Sequence, residues 1–244
     1  MLSPKNFFYL ENYEHAEIFD NCEYVWQAIK KIGQYIMSYT LDFQGEERIN
    51  GDILPGAFID NSESIFIGKN TVVEPGAFIQ GPCIIGNNCQ IRSGAYIRGN
   101  VITGDKCIVG HTSELKNTIL LNKSQCPHFN YVGDSIIGNS VNLGCGTVLS
   151  NVPIVSFKDK TTGKRPSIKI KIDETLFDTE LSKLGAIIGD NSETGCNSVL
   201  NPGCIIGKYS LVYPCTSVPK GYHGSKKIIK LRQCTEDVDR NDLE

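Results

Sequence analysis

Residues 67–98 have the sequence IGKNTVVEPGAFIQGPCIIGNNCQIRSGAYIR, and this stretch decides the fold. Aliphatic residues recur at every sixth position, and a small residue follows many of them four positions later. A period of six matches neither an α-helix nor an alternating strand, so it predicts a hexapeptide solenoid in which each repeat forms one face of a coil. The aliphatic positions are Ile67, Val73, Ile79, Ile85, Ile91, Ile97, Val109, Leu115 and Leu121, and the small ones are Thr71, Ala77, Cys83, Cys89, Ala95, Cys107 and Ser113.

The six-residue register is interrupted twice along the chain. It restarts at Ile137 and again at Ile188, which leaves interruptions at 126–135 and 152–186. Insertions in a solenoid become loops, often on the binding face, so both segments are candidates for function. The longer one is compatible with a hairpin over a cleft and equally with a solvated loop.

Three segments are predicted from this pattern. Residues 1–50 form an N-terminal helical cap, with a helix over 21–39 that begins at a capping box formed by Asp20 and Glu23. Residues 51–220 form the solenoid with the inserted loop at 152–186, and residues 221–244 form a C-terminal extension. The end of that extension is acidic and poor in apolar residues, so it is expected to be disordered.

Composition narrows the classes of function. The 244 residues carry a formal net charge of −3, without the concentrated basic face that nucleic-acid binding requires. A signal peptide and an apolar run of about 18 residues are both absent from the sequence, so we expect a cytoplasmic protein that does not bind membranes. Four of the ten cysteines, Cys83, Cys89, Cys107 and Cys204, occupy small positions of the repeat, which predicts reduced, structural thiols.

The first interruption contains a candidate for acid–base chemistry. His128 lies there with Tyr131 close by, and a second polar cluster follows at 142–151. An imidazole exchanges a proton near neutral pH, which suits a general base that frees an amine to attack a thioester. From the residues alone, a histidine that merely fills a corner of the coil is an equal alternative.

The run from His128 to Asn151 contains Tyr131, a Gly-Asp pair, a Val-Asn pair and a Gly-x-Gly-Thr motif. It resembles the acetyltransferase half of the bifunctional glucosamine-1-phosphate acetyltransferase and N-acetylglucosamine-1-phosphate uridyltransferase, and the related archaeal and bacterial sugar-1-phosphate nucleotidylyltransferase/acetyltransferases. The resemblance covers residues 50–218 and is most specific over 98–151. It implies a mainly β fold, a left-handed parallel β-helix with an N-terminal helical cap.

The resemblance also implies roles for individual residues. His128 matches the general base that removes a proton from the sugar amine, so that the nitrogen attacks the acetyl group of acetyl-CoA. Arg98 and Lys116 match the cations that hold the sugar phosphate, a task that suits a guanidinium and an ammonium. The other implied residues are Asn151 near the acetyl group, Tyr131, Asn142 and Lys183 as further substrate contacts, and Cys145, Cys196 and Pro214 along the coenzyme A channel.

The function implied by the resemblance is that of a homotrimeric, acetyl-CoA-dependent N-acetyltransferase of UDP-GlcNAc biosynthesis. Its substrate is an amino-sugar phosphate, with glucosamine-1-phosphate as the first guess. The sequence has no counterpart of the nucleotidyltransferase domain, so we expect no pyrophosphorylase activity from these residues. The missing domain also favours an alternative, a non-catalytic module that binds sugar nucleotides or acts as a scaffold.

A metal-dependent enzyme is a third possibility, because γ-type carbonic anhydrases share the predicted fold. Those enzymes need three histidines that converge on zinc. Of the four histidines here, only His111 and His128 lie within the predicted coils. The sequence therefore predicts no metal site.

Overall fold

The computed structural model describes residues 1–43 and 48–233, which form a coil with three flat faces. Each face is a parallel sheet, and successive strands of the chain enter the first, second and third sheet in turn. The strands of the first sheet are Asp52–Ile53, Val72–Val73, Gln90–Ile91, Ile108–His111, Gln125–His128, Asn142–Leu143, Glu193–Thr194, Leu211–Val212 and Ile228–Ile229. Those of the second sheet are Phe58–Asp60, Phe78–Gln80, Tyr96–Arg98, Glu114–Lys116, Tyr131–Gly133, Val148–Leu149, Val199–Leu200 and Ser217–Val218. Those of the third sheet are Ile65–Ile67, Cys83–Ile85, Val101–Thr103, Thr118–Leu120, Ile136–Ile137, Ala186–Ile188, Cys204–Ile206 and Gly221–His223.

The interior of the coil is filled by the residues of the six-residue register. Ile79 pairs in register with Ile97 of the next coil, and both side chains are fully buried. Each aliphatic side chain therefore stacks on its counterpart one coil away, which is how a hexapeptide repeat forms a continuous core. The small positions lie buried in the same interior. The predicted fold class, a mainly β parallel β-helix of hexapeptide repeats, is confirmed.

Two coils are one residue shorter than the usual eighteen, and this corrects the predicted register. Leu120 pairs with Thr103, seventeen residues earlier, so Leu120 and not Leu121 points into the interior. Leu121 lies in the outer apolar cluster instead. Ile137 pairs with Leu120 after a second shortened coil. The predicted interruption at 126–135 is therefore wrong: the segment forms a regular coil that a fixed period of six cannot follow.

The outer surface of the third sheet is apolar as well. Its outward residues form a stripe along successive coils, from Phe66 through Ile119 to Tyr222. The N-terminal segment and part of the insertion cover this stripe with buried side chains such as Trp26 and Ile36. Each buried aliphatic or aromatic side chain contributes about 1.5–3 kcal/mol. The N-terminal helical segment thus lies along a face of the coil, where the apolar stripe is.

The helix in this segment begins later than predicted. Asn21 has a left-handed backbone with φ of 57°, which stops a helix from passing through it. A 3₁₀ helix runs over Val25–Lys31, and the α-helix continues over Ile32–Leu41. The capping box is formed by Tyr24 and Gln27, and further 3₁₀ turns lie at Pro4–Asn6, Ala16–Phe19 and Ser62–Ser64.

The insertion at 152–186 contains an antiparallel hairpin, Lys169–Ile172 with Thr175–Asp178. Phe177 packs edge-on against Tyr24 and Trp26, with ring centroids 5.6 and 6.4 Å away. The hairpin therefore joins the cover of the third sheet, while most of 152–166 is exposed. The insertion ends where it begins, since the Leu184 N–H donates to the Asn151 carbonyl.

The coil continues beyond the predicted boundary at 220. Gly221–His223 and Ile228–Ile229 pair with the preceding coil in the third and first sheets. The predicted disordered tail, from residue 235, lies outside the described residues. Among the helices of 1–43 and 48–233, none has the length and hydropathy to cross a membrane.

Candidate active site

The corner between the first and second sheets, called here the first corner, carries four of the predicted site residues in one column. Backbone hydrogen bonds join successive coils at this corner. They run from Phe129 N to His111 O (2.9 Å), Gly146 N to His128 O (3.0 Å), Asn197 N to Cys145 O (2.8 Å) and Cys215 N to Cys196 O (2.9 Å). His128, Cys145, Cys196 and Pro214 thus occupy equivalent positions on successive coils, with neighbouring coils about 4.8 Å apart.

His128 ends the strand Gln125–His128 and pairs in register with His111 of the preceding coil. Its side chain is exposed, and its imidazole has no hydrogen-bond partner among the described residues. The backbone below it is fixed by Asn130, whose Oδ1 accepts from the His128 N–H at 3.2 Å and whose Nδ2 donates to the Gly144 carbonyl at 2.8 Å. The imidazole is therefore unpaired among the described residues, while hydrogen bonds hold the backbone that carries it. Sequence reasoning missed Asn130, which is 2% exposed.

The second sheet carries the two predicted phosphate-binding cations side by side. The register of Tyr96 with Glu114 places Arg98 next to Lys116. Arg98 Nη1 lies 2.7 Å from Glu114 Oε1, and this contact raises the pKa of the exposed guanidinium. Lys116 makes no ion pair within the described residues. Arg98 therefore carries its own counter-charge, and Glu114 is a neighbour that sequence reasoning missed.

Tyr131 lies on the same sheet, opposite Glu114 in register. Its ring extends over Gly133, where an added Cβ would lie 2.7 Å from the Tyr131 hydroxyl oxygen. Burial raises the pKa of Tyr131, and the carboxylates of Glu114 and Asp134 add to the effect. The phenol therefore stays protonated and able to donate a hydrogen bond across the neutral range. A glycine at 133 is needed for this close approach.

The corner between the second and third sheets, called here the second corner, holds Asn151. Its Nδ2 donates to Asp134 Oδ2 at 2.5 Å, and Asn117 Nδ2 donates to Asp134 Oδ1 at 2.8 Å. Asp134 is 5% exposed, so this buried carboxylate fixes the Asn151 amide. The Gly-Asp pair quoted in the motif was the signal for Asp134, but no role was predicted for it.

The predicted catalytic residues stand at opposite ends of one face within a single chain. His128 is at the first corner, and Asn151 is at the second, beside Gly133. The second-sheet strand Tyr131–Gly133 lies between them, after the chain turns the first corner at Phe129, where φ is 52°. The structure thus brings Arg98, Lys116 and Tyr131 together on the second sheet between the two corners.

The remaining predicted residues lie near these two corners. Asn142 is half-buried on the first sheet and pairs in register with Gln125 and Glu193. Lys183 is exposed and immediately precedes Leu184, whose N–H donates to the Asn151 carbonyl at 3.0 Å. Asn142 therefore lies on the first sheet, three residues before Cys145 of the first corner, and Lys183 lies close to the second corner.

His111 and His128 are neighbours at the first corner, whereas His15 packs among Tyr13, Tyr35 and Tyr39 of the N-terminal segment. His15 is 1% exposed beneath the N-terminal segment, where its Nδ1 lies 3.0 Å from the Tyr35 hydroxyl. Burial lowers the pKa of His15. Within 1–43 and 48–233, no group of three or more histidine, cysteine or carboxylate side chains is arranged to hold a metal ion.

The thiols provide a direct check of the first corner. We expect iodoacetamide to modify Cys196 and Cys215 in the folded protein, because both are exposed. Cys126 is buried, and burial raises its pKa to about 12, so it should react after unfolding only. Peptide mapping by mass spectrometry measures both. Modification of Cys126 in the folded protein at the rate of Cys196 would contradict the register of the coil.

Comparison with known proteins identifies two matching segments. Residues 79–165 match the family described as the GMPPB C-terminal domain, and residues 185–220 match the bacterial transferase hexapeptide family. The chain is 43% identical over 103 residues to the bifunctional protein GlmU of Methanococcus maripaludis (strain C7), covering 42% of this chain and 23% of that protein. This confirms the resemblance predicted from the motifs.

Other matches have the same extent. The bifunctional sugar-1-phosphate nucleotidylyltransferase/acetyltransferase of Sulfurisphaera tokodaii is 35% identical over 106 residues, 43% of this chain and 24% of that protein. The chain therefore spans about a quarter of the length of these curated relatives. Among solved structures, the Arabidopsis UDP-N-acetylglucosamine acyltransferase matches with a TM-score of 0.41 and 14% identity, covering 72% of this chain and 70% of that chain.

Proposed function

We propose that this protein is an acetyl-CoA-dependent N-acetyltransferase that acts on an amino-sugar phosphate, with glucosamine-1-phosphate as the first substrate to test. The observation that carries the proposal is the exposed, unpartnered imidazole of His128, held on a rigid corner in one column with Cys145 and Cys196. One relative with the matching segment, from Sulfurisphaera tokodaii, is named as a bifunctional sugar-1-phosphate nucleotidylyltransferase/acetyltransferase. The product, N-acetylglucosamine-1-phosphate, belongs to UDP-GlcNAc biosynthesis.

The proposed chemistry uses His128 as the general base. The amine nitrogen of the sugar attacks the acetyl carbonyl carbon, and His128 takes the proton that this nitrogen loses. The carbon–sulfur bond then breaks, and the coenzyme leaves as its thiolate. Acetyl-CoA thus serves as co-substrate and supplies the group that is transferred.

The developing oxyanion needs a donor that is already in place. The Cys145 N–H is a candidate, because it donates to no acceptor within 1–43 and 48–233 and lies one coil from His128. A backbone donor does not depend on the side chain at this position. Cys196 and Pro214, further along the column, would line the path of the pantetheine arm.

The sugar end of the substrate is assigned to the second sheet and the residues that flank it. Lys116 and Arg98 would hold the phosphate, while Tyr131, Asn142, Asn151 and Lys183 would contact the sugar. Because His128 and Asn151 stand at opposite corners of one chain, we propose that a homotrimer completes the cleft with a neighbouring copy. In such an assembly each cleft would take its groups from two chains.

The test is a transfer assay with isotopically labelled acetyl-CoA and a panel of amino sugars with and without a phosphate. We expect labelled product from glucosamine-1-phosphate and much less from glucosamine, because the cations of the second sheet then have no anion to bind. Binding of sugar phosphates without any labelled product would favour the non-catalytic binding module instead. Mass measurement of the native assembly tests the trimer independently.

A further inference from the structure

The exposed part of the insertion contains an ordered turn that is rich in cations. Asp159 Oδ1 accepts hydrogen bonds from the Thr161 N–H at 3.0 Å, the Thr162 N–H at 2.7 Å and the Thr162 hydroxyl at 3.0 Å. These bonds lower the pKa of Asp159. Gly163 has φ of +66°, which closes the turn, and its N–H donates to the Asp159 carbonyl. Asp159 is thus held by the turn and forms no ion pair with a described cation.

A cavity of about 480 Å³ lies between this turn and the end of the insertion. Its walls include four cationic side chains, Lys158, Lys164, Arg165 and Lys183, and one carboxylate, Glu180. Glu180 is already paired, because its Oε2 lies 2.6 Å from Lys30 Nζ. None of the four cations forms an ion pair with a described residue. The cavity therefore has a strong excess of positive charge.

One of the cations is held in place by the loop itself. Arg165 Nη1 donates to the Ser156 carbonyl, and the side chain is half-buried. A guanidinium has five N–H donors, so most of them stay available to a ligand. The hydroxyls of Ser167 and Ser182 also line the cavity. A fixed guanidinium, flexible ammonium groups and hydroxyls together suit a phosphate group.

We propose that this cavity is a phosphate-binding site built by the insertion, beyond the cations of the second sheet. Lys183 immediately precedes Leu184, which is hydrogen-bonded to Asn151 at the second corner, so the site adjoins the sugar end of the candidate active site. Its ligand bears phosphate: either the phosphorylated end of the sugar substrate or the phosphates of coenzyme A. The proposal does not require the acetyl transfer proposed above, because phosphate binding is measured directly.

The test measures binding of inorganic pyrophosphate to the full chain by isothermal titration calorimetry. The variant is Lys158→Gln together with Lys164→Gln, two exposed side chains without hydrogen bonds to the described residues. We expect it to weaken pyrophosphate binding at least ~10-fold, as expected for the loss of charge-assisted hydrogen bonds. The matched control is Lys171→Gln, on the same insertion but outside the cavity, which should leave the affinity unchanged.

Two results would overturn the proposal. One is that the unmodified chain does not bind pyrophosphate, and the other is that the double variant binds it as well as the control does. The source of the phosphate follows from the same variants titrated with glucosamine-1-phosphate and with coenzyme A against 3′-dephospho-coenzyme A. Weaker binding of the sugar phosphate alone assigns the site to the sugar substrate, and weaker binding of coenzyme A alone assigns it to the coenzyme. Because these are binding measurements, an inactive enzyme with an intact site is distinguishable from a missing site.

Discussion

Replacing His128 with alanine is expected to lower the turnover number for acetyl transfer by ~10²–10⁴-fold, the range for loss of a general base. The imidazole has no structural partner among the described residues and is exposed, so its removal leaves no buried group unsatisfied. The fold and the assembly should therefore survive. Steady-state kinetics with saturating acetyl-CoA measure the effect, and thermal unfolding checks the fold.

The chain offers a matched control for this change. His111 stands at the equivalent position one coil earlier and is also exposed, with its Nδ1 2.9 Å from the Ser93 carbonyl. His111→Ala removes a corner imidazole without removing the proposed base, so its turnover should stay within a few-fold of that of the unmodified chain. Equal losses in the two variants would show that the effect comes from the corner and would refute the role of His128.

Gly110→Ala is expected to destabilise the folded chain by more than ~4 kcal/mol, which is exceptional for a single substitution. An added Cβ would lie 1.7 Å from the Pro127 carbonyl oxygen, an overlap with the backbone of the next coil. Gly110 has an ordinary φ, so the effect arises from the contact. To relieve this overlap, the strands Ile108–His111 and Gln125–His128 would have to separate, and the backbone hydrogen bonds between them would break.

Urea denaturation followed by circular dichroism measures the free energy of unfolding in this variant. Gly224→Ala is the control, because its added Cβ would meet nothing closer than Lys227 Cε at 3.7 Å. A surface change of this kind should stay within about 0.5 kcal/mol of the parent. A Gly110→Ala protein as stable as the control would show that the two coils are not stacked as described. Gly110 and Pro127 directly precede His111 and His128, so this contact also determines how closely the two coils approach each other at the first corner.

The fold could be predicted because the aliphatic residue of each repeat packs on its counterpart one coil away. The six-residue period of aliphatic residues reflects this packing. It failed where a coil is one residue shorter, since Leu121 continues the count while Leu120 fills the interior. It also missed the outer apolar stripe on the third sheet. Pairs such as Ile84-Ile85 and Ile136-Ile137 carry that signal, with one residue facing inward and the other outward.

The candidate site was less accessible from the sequence. The residues themselves indicated His128 and the resemblance supplied Arg98 and Lys116, but their spatial relation depends on which residues stack between coils. The supporting partners Glu114, Asn130 and Asp134 act through short hydrogen bonds across one coil. Such contacts join residues sixteen or seventeen positions apart, or fourteen across a corner, and composition and periodicity do not encode them.

One of the three sheets of the coil is covered, and this limits how copies of the chain can pack against one another. The N-terminal segment and the hairpin cover the outer face of the third sheet, which is one wall of the coil. In the described part of the chain, the walls formed by the first and second sheets present exposed apolar side chains, among them Ile228 on the first and Phe58 on the second. They meet along a single edge, and that edge is the one that bears His128. Packing of copies that uses both of these walls beside their shared edge would bring a neighbour alongside this imidazole.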